Sequence, residues 1–197
     1  MNCTYYIMDM AQKNNGMVTA RMVSQAGIAR GSLAHLEKTG RLQRVERGVY
    51  VLPEVLEDEL FALQSRFARG VFSLGTALFL HGLSDRTPAA WHMAFPATYN
   101  LSGPKAVGII CHGSSAALYG LGVESVRTPG GHMVRAYCAE RSICDALRPV
   151  NHVDTQTALD ALKGYLARAG RDMPLLSEYA RATGVEGRLR PYLEALL

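Results

Sequence analysis

Apolar residues over the first fifty positions recur three and four residues apart, a spacing that predicts short amphipathic helices. The apolar positions of the first two helices are Tyr6, Met10, Ala11, Met22, Val23 and Ala26. We expect the first helix to end near residues 14–16, where Asn-Asn-Gly breaks the pattern. Thr19 can begin the second helix, because its hydroxyl can accept an unpaired backbone N–H of the first turn.

A third helix is predicted for residues 30–39, after a short turn. Gly27 permits the positive φ that ends the second helix, and Ile28 supplies an apolar contact to the core. Leu33 and Leu36 lie at helical spacing and are expected to face inward. Two short helices joined by a turn that contains Gly form a helix-turn-helix.

Two segments rich in β-forming residues follow the third helix. Residues 42–45 and 49–52 flank Glu46-Arg47-Gly48, and this arrangement predicts a hairpin. A hairpin in this place is the wing of a winged helix-turn-helix, and Pro53 closes the module.

The rest of the chain mixes helical and strand patterns. Residues 54–69 predict a connecting helix, and Ser73 is expected to cap a helix that ends at His81-Gly82. Strands are then expected at 91–95, 106–111, 123–128 and 132–137, and helices at 140–147, 155–169, 174–182 and 188–197. The predicted fold class is α+β, an N-terminal winged helix-turn-helix followed by a mixed α/β C-terminal domain that ends in helices. The expected division is 1–53, 54–70 and 71–197.

Positive charge is concentrated in the first 53 residues. They contain three acidic residues against seven basic ones, which are Lys13, Arg21, Arg30, Lys38, Arg41, Arg44 and Arg47. The rest of the chain is balanced, so this N-terminal part carries the whole formal net charge of +4. Clustered Lys and Arg are what phosphate contacts require.

A basic helix-turn-helix on a neutral body is expected to bind double-stranded DNA. The third helix would enter the major groove with its first residues, where Arg can form two hydrogen bonds to guanine. Arg44 and Arg47, on or beside the hairpin, suit phosphate or minor-groove contacts. The candidate DNA-binding residues are Arg30, Gly31, Ser32, His35, Lys38, Arg44 and Arg47.

Composition and cysteine spacing favour a cytoplasmic protein without a metal or other cofactor. Residues 1–6 lack the basic and apolar regions of a signal peptide, and the most apolar stretch, residues 71–83, is too short to span a bilayer. None of the four cysteines forms a C-x-x-C pair, so zinc ligation by Cys111-His112, His132 and Cys138 is the less favoured alternative.

No enzyme motif is complete in this sequence. A restriction-type nuclease needs an acidic residue two positions before a lysine, and neither Lys105 nor Lys163 has one. Gly113-Ser114 is similar to the turn of a nucleotidyltransferase, but the paired carboxylates that would hold its metals are missing. His81 and the Arg141–Asp145 pair are expected to be structural, so no catalytic residue is assigned.

Three segments match a known family in order. The first comprises residues 18–30 with Leu33, Leu36, 40–42 and 47–50, the second is 73–83, and the third is 139–147. In this order they resemble the AbiEi-type antitoxins of bacterial abortive-infection (type IV) toxin–antitoxin systems and related winged-helix regulators. Ser142 stands where the family usually has threonine, so the hydroxyl is kept.

The resemblance implies a cytoplasmic antitoxin whose N-terminal module represses transcription of its own operon. It also implies that the C-terminal domain opposes a nucleotidyltransferase-like toxin encoded alongside. The partners would be operator DNA and this toxin, without a membrane, and a palindromic operator would favour a homodimer.

Two other functions are open on the sequence alone. One is a free-standing winged-helix transcription regulator whose C-terminal domain senses a ligand or only dimerises. The other is an antitoxin that acts through protein contacts and whose winged helix has lost DNA binding.

Overall fold

The computed structural model describes residues 3–196, which divide into two compact units. The first unit comprises residues 3–68 and Arg127–Val134, and the second comprises Arg69–Val126 and residues 135–196. The fold class is α+β, as predicted. The functional division at residues 53 and 70 stays a prediction.

The first unit has the element order of a winged helix. Its helices and strands are α1 (Cys3–Lys13), β1 (Met17–Thr19), α2 (Ala20–Gln25), α3 (Gly31–Lys38), β2 (Gln43–Glu46), β3 (Val49–Val51) and α4 (Glu59–Arg66). The strands form an antiparallel sheet in the order β1–β3–β2. The predicted wing is the β2–β3 hairpin, whereas β1 was not predicted.

The core of the winged helix confirms the inward side of α3 and corrects that of α1. Leu33 and Leu36 are buried, as expected. In α1 the buried residues are Ile7 and Ala11, one helical turn apart, while Tyr6 is 46% exposed. The prediction for Tyr6 was wrong because the helix turns Ile7 toward the core instead. Ala26 was also misplaced, since α2 ends at Gln25 and Ala26 is exposed.

The connecting helix is shorter than predicted. It covers Glu59–Arg66 instead of residues 54–69, and Leu56 is 94% exposed. The helix begins here because Asp58 caps it, its Oδ1 accepting the Phe61 N–H at 3.2 Å. Residues 54–57 therefore lie before the helix, although their apolar spacing continued its pattern.

Asp58 is also the centre of a buried hydrogen-bond network in the first unit. Its Oδ2 accepts the Thr128 hydroxyl and the His132 Nδ1–H, the latter at 2.7 Å. His132 Nε2 lies 3.0 Å from the Asn14 carbonyl oxygen, and the Phe61 ring stacks on the imidazole at 4.3 Å. Burial raises the pKa of Asp58, but the hydrogen bonds from His132 and Thr128 outweigh it and lower the pKa below its ordinary value.

The turn that carries Thr128 and His132 approaches Asp58 closely. A Cβ atom on Gly130 would lie 2.7 Å from Asp58 Cγ, so no larger residue fits at this position without movement. The turn predicted at Pro129-Gly130-Gly131 therefore also packs against the start of α4.

The second unit contains most of the helices and a five-stranded sheet, except for Arg127, Met133 and Val134 at the ends of its last two strands, which belong to the first unit. Its elements in chain order are β4 (Val71–Phe72), α5 (Leu74–Leu80), β5 (His92–Pro96), α6 (Ser102–Ala106), β6 (Ile110–Ser114), α7 (Ala116–Tyr119), β7 (Val123–Arg127), β8 (Met133–Tyr137), α8 (Ala139–Ala146), a short 3-10 helix (Pro149–Asn151), α9 (Thr155–Leu166), α10 (Met173–Thr183) and α11 (Glu186–Leu196). Strands follow the order β6–β5–β4–β8–β7, with the β5–β6 and β4–β8 pairs parallel.

Several of these elements differ from the prediction. The strand expected at 106–111 lies at Ile110–Ser114, because Ser102–Ala106 forms a helix first. The short elements β4, α6 and α7 were not predicted, since two to five residues carry too little periodicity. Within the described residues 3–196, no helix is long and apolar enough to cross a bilayer.

Helix α8 packs against α5, α9 and α10 and lies in the core of the second unit. The predicted Arg141–Asp145 ion pair is present, with Nε and Oδ2 3.0 Å apart, and both side chains are buried. The ring of His81 lies 2.8 Å from the Tyr137 carbonyl oxygen, a contact of the kind expected for a structural residue, and its role stays a prediction.

Two histidines pair across strands β5 and β6. His92 Nδ1 and His112 Nε2 are 3.0 Å apart and the rings are stacked. Burial and the neighbouring His92 lower the pKa of His112 to about 4. Both rings are therefore neutral near pH 7, and one donates to the other.

Replacing Asp58 by Ala is expected to destabilise the first unit more than the loss of an ordinary helix cap. Asp58→Ala leaves His132 and Thr128 buried without their acceptor, which costs about 3 kcal/mol or more. Thr19→Ala removes only a cap in the same unit, worth about 1 kcal/mol. Hydrogen exchange at the β3 amides measures the free energy of unfolding of both variants. Equal losses would contradict the role given to Asp58.

Acid is expected to destabilise the second unit through His112. Because its pKa falls from 6.5 to about 4 on folding, the unfolded state holds more protons between these pH values and stability decreases as the pH is lowered. His112→Gln should flatten this decrease, and the exposed His152→Gln should not. Fluorescence of Trp91, the single tryptophan, follows unfolding. An equally steep decrease in His112→Gln would refute the assignment.

Candidate nucleic-acid interface

The helix-turn-helix is held by local hydrogen bonds at both ends of α2. Thr19 Oγ1 accepts the Met22 N–H at 3.2 Å, so the predicted cap is confirmed. At the other end Gly27 has a φ of +73°, and the Ile28 N–H donates to the Val23 carbonyl at 3.0 Å. This turn ends α2 at Gln25 and allows α3 to begin at Gly31.

Helix α3 buries its leucines and exposes its opposite side. Gly31, His35 and Lys38 lie one helical turn apart in succession and are exposed, as is Arg30 at the N-cap position. Ser32 is half-buried. A Cβ atom on Gly31 would meet nothing within 4 Å, so a ligand can approach the backbone here.

The charge of α3 suits an anionic partner at its first turn. That turn contains no acidic residue, and the helix N-terminus itself carries partial positive charge. Arg30 Nε donates to the Ser24 hydroxyl at 2.8 Å, which orients the guanidinium while its terminal nitrogens stay exposed. Glu37 is the only acidic residue of the helix and lies in the last turn.

The wing presents two arginines on either side of a neutralised carboxylate. Arg44 and Arg47 are exposed, and the Arg47 backbone N–H donates to Glu46 Oε1 at 2.7 Å. Arg66 of α4 forms an ion pair with the other oxygen of Glu46. Burial raises the pKa of Glu46, but these contacts with Arg47 and Arg66 outweigh it and keep the pKa below its ordinary value.

The structure thus places all seven candidate residues in the first unit. His35 and Lys38 lie in the last turn of α3, and Arg44 and Arg47 flank Glu46 in the hairpin. Arg30 is hydrogen-bonded to Ser24 of α2. Their role in DNA binding stays a prediction.

Four further arginines in this unit lay outside the predicted set, namely Arg21, Arg41, Arg66 and Arg127. Arg21 and Arg41 are exposed, and only their contribution to the local charge could have indicated them. Arg66 acts through Glu46, a residue 20 positions earlier, and no sequence pattern pointed to that contact.

The zinc alternative is not supported by the side chains that the structure describes. Among residues 3–196 no group of three His, Cys, Asp or Glu side chains is placed to hold a metal. His132 uses its ring to contact Asp58 and Asn14, and burial raises the pKa of the Cys138 thiol to about 12.

The element order of the first unit is that of the winged-helix module found in transcriptional regulators. Residues 6–53 match the family described as transcriptional regulator, AbiEi antitoxin. The resemblance inferred from the sequence is therefore confirmed for this segment.

Similarity over the whole chain is seen at the level of fold. The crystal structure of the Rv2827c protein from Mycobacterium tuberculosis superposes with a TM-score of 0.52 at 17% sequence identity, covering 96% of this chain and 79% of that one. At this identity the likeness concerns the fold alone. No curated protein matches the chain in sequence.

Proposed function

We propose that this protein binds double-stranded DNA at the operator of its own promoter and represses transcription as the antitoxin of a type IV toxin–antitoxin system. Residues 1–53 are the DNA-binding domain in this proposal, 54–70 the connection, and 71–197 the antitoxin-type domain. The protein acts in the cytoplasm, without a cofactor and without catalysis of its own.

The observation that carries the DNA-binding part is the exposed side of α3. Leu33 and Leu36 anchor the helix in the core, so Arg30, Gly31 and Lys38 are left at the surface. A helix held in this way can enter the major groove without rearrangement, which lowers the cost of binding.

The wing and the charge distribution give further support. Arg44 and Arg47 can reach phosphates or the minor groove, because the Arg66 ion pair compensates the negative charge of Glu46 between them. The whole net positive charge of the chain lies in the winged helix, where counterion release would drive association.

The antitoxin part rests on the match of residues 6–53 and on the family-like segments in the second unit. One of these segments begins α5, and the other is α8 in the core. We assign to this unit the task of opposing a nucleotidyltransferase-like toxin encoded next to the gene. A palindromic operator would be bound by two copies of the chain.

Variants at two arginines test DNA binding in different ways. Arg47→Ala should weaken binding to all duplexes equally and reduce the salt slope by about one phosphate contact. Arg30→Ala should cost about 1–3 kcal/mol on the operator and relax specificity at one base pair. Arg30→Lys keeps the positive charge but lacks the paired N–H donors of the guanidinium group. This variant should therefore also lose specificity for the base pair.

Fluorescence anisotropy on operator and random duplexes across a salt series measures these effects, with the exposed Arg181→Ala of α10 as the control. An unchanged slope in Arg47→Ala would remove Arg47 from the contact surface. Failure of the full chain to bind its own promoter at low salt would favour the antitoxin that acts only through protein contacts.

Co-expression with the adjacent gene tests the antitoxin part. The full chain should restore growth of cells that express the neighbouring nucleotidyltransferase-like protein from an independent promoter. The double variant Arg30→Ala/Arg47→Ala should restore growth equally, because the second unit is assigned this task. Co-purification then reports whether the two proteins are in direct contact.

Two outcomes would oppose this part of the proposal. Absence of such a neighbouring gene, or growth that the full chain does not restore, would favour a free-standing regulator. If the folded double variant did not restore growth, the antitoxin activity would have to be assigned to the winged helix.

A further inference from the structure

The second unit contains a cavity of about 150 Å³ that the proposed function does not use. It lies where the start of α5, the parallel strands β5 and β6, and helix α8 meet, and its walls include Ser73, His112, Tyr137, Asp145 and Arg148. Every residue of its lining belongs to the second unit. A cavity of this volume is large enough for a molecule the size of benzene.

Two buried polar atoms in the wall lack a hydrogen-bond partner. Among residues 3–196, Ser73 Oγ and Asp145 Oδ1 are the buried side-chain nitrogen or oxygen atoms left unpartnered, and both residues line this cavity. Their residues are only 2% and 4% exposed. Since buried polar groups are nearly always hydrogen-bonded, two such atoms in one cavity indicate a ligand site.

The local geometry explains why neighbouring groups do not satisfy these atoms. Ser73 occupies the N-cap position of α5, yet its side chain makes no capping bond, and the following Leu74 has a φ of 48°. Asp145 Oδ2 accepts from Arg141 Nε, whereas Oδ1 lies 3.8 Å from Arg148 Nη1, too far for a hydrogen bond.

The charge and polarity of the cavity wall restrict the chemical class of ligand that can bind there. Arg141 is already committed, because its Nη1 donates to the Leu118 and Leu121 carbonyls and its guanidinium covers the Tyr137 ring. Free phosphate is disfavoured, since it would face the Asp145 carboxylate. A purely apolar molecule would leave both orphan atoms unpaired.

We infer that this cavity binds a ring-sized molecule whose edge carries an N–H donor beside a carbonyl oxygen, as in a pyrimidine base. The N–H donates to Asp145 Oδ1, a contact of the kind that carboxylates make with nucleobase donors. The carbonyl oxygen accepts both from the Ser73 hydroxyl and from Arg148, whose side chain is 30% exposed. The site does not depend on DNA binding, so either proposal can fail alone.

Titration of the full chain with uracil, followed by amide NMR, tests the site. Uracil should give saturable shifts at the cavity strand β6, at Gly113 and Ser114. Dimethyluracil, with both ring nitrogens methylated, lacks the donor and should bind at least about tenfold more weakly. Pyrrolidone presents the same edge on a saturated ring and should bind more weakly than uracil.

Variants of the wall identify the contacts. Ser73→Ala and Arg148→Gln should each weaken uracil binding by about three- to tenfold, whereas Ser125→Ala and Arg181→Gln, exposed and outside the cavity, should not. Because the Ser73 hydroxyl has no partner in the free protein, Ser73→Ala should leave the denaturation midpoint, followed by Trp91 fluorescence, unchanged or higher.

Four results would overturn the inference. They are no saturable shift up to the solubility limit of each probe, equal binding of dimethyluracil, tighter binding of pyrrolidone than of uracil, and a lowered denaturation midpoint in Ser73→Ala. The last would mean that the hydroxyl is satisfied within the free protein and is a structural group.

Discussion

The carboxylate of Asp58 accepts three hydrogen bonds at once, from the half-buried Phe61 amide and from the buried Thr128 hydroxyl and His132 ring. His132 lies 74 positions further along the chain, so a turn between β7 and β8 becomes part of the winged-helix unit. A buried carboxylate is stable only while its donors are in place. The unit that presents α3 therefore depends on residues far outside the sequence of the winged helix.

Features with a local cause could be predicted from the sequence. Thr19 caps α2, Gly27 ends it, and Leu33 and Leu36 face the core, because each follows from a few neighbouring residues. Elements that are very short, or whose ends are set by contacts between distant residues, could not be predicted from the sequence. Helix α4 begins at Glu59 because Asp58 caps it, although apolar spacing extended the pattern to earlier residues.

The same distinction holds at the candidate interface. The uneven charge distribution pointed to Arg30, at the N-cap position of α3, and to Arg44 and Arg47 of the wing. The contacts that orient them were hidden, because they join separate elements. Ser24 orients Arg30 from α2, and Arg66 neutralises Glu46 from α4. The charge distribution could therefore indicate which residues belong to the candidate interface, but not the hydrogen bonds that orient them.

Ser73 shows how a local prediction can fail informatively. Its position before α5 predicts a capping bond, and the residue does occupy the N-cap position, but the hydroxyl makes no such bond. Asp145, on α8, likewise leaves one oxygen without a hydrogen bond although its other oxygen accepts from Arg141. Two groups in the wall of one cavity thus each leave an atom without a hydrogen-bond partner. Since buried polar groups are nearly always hydrogen-bonded, this coincidence is the observation on which the inferred ligand site rests.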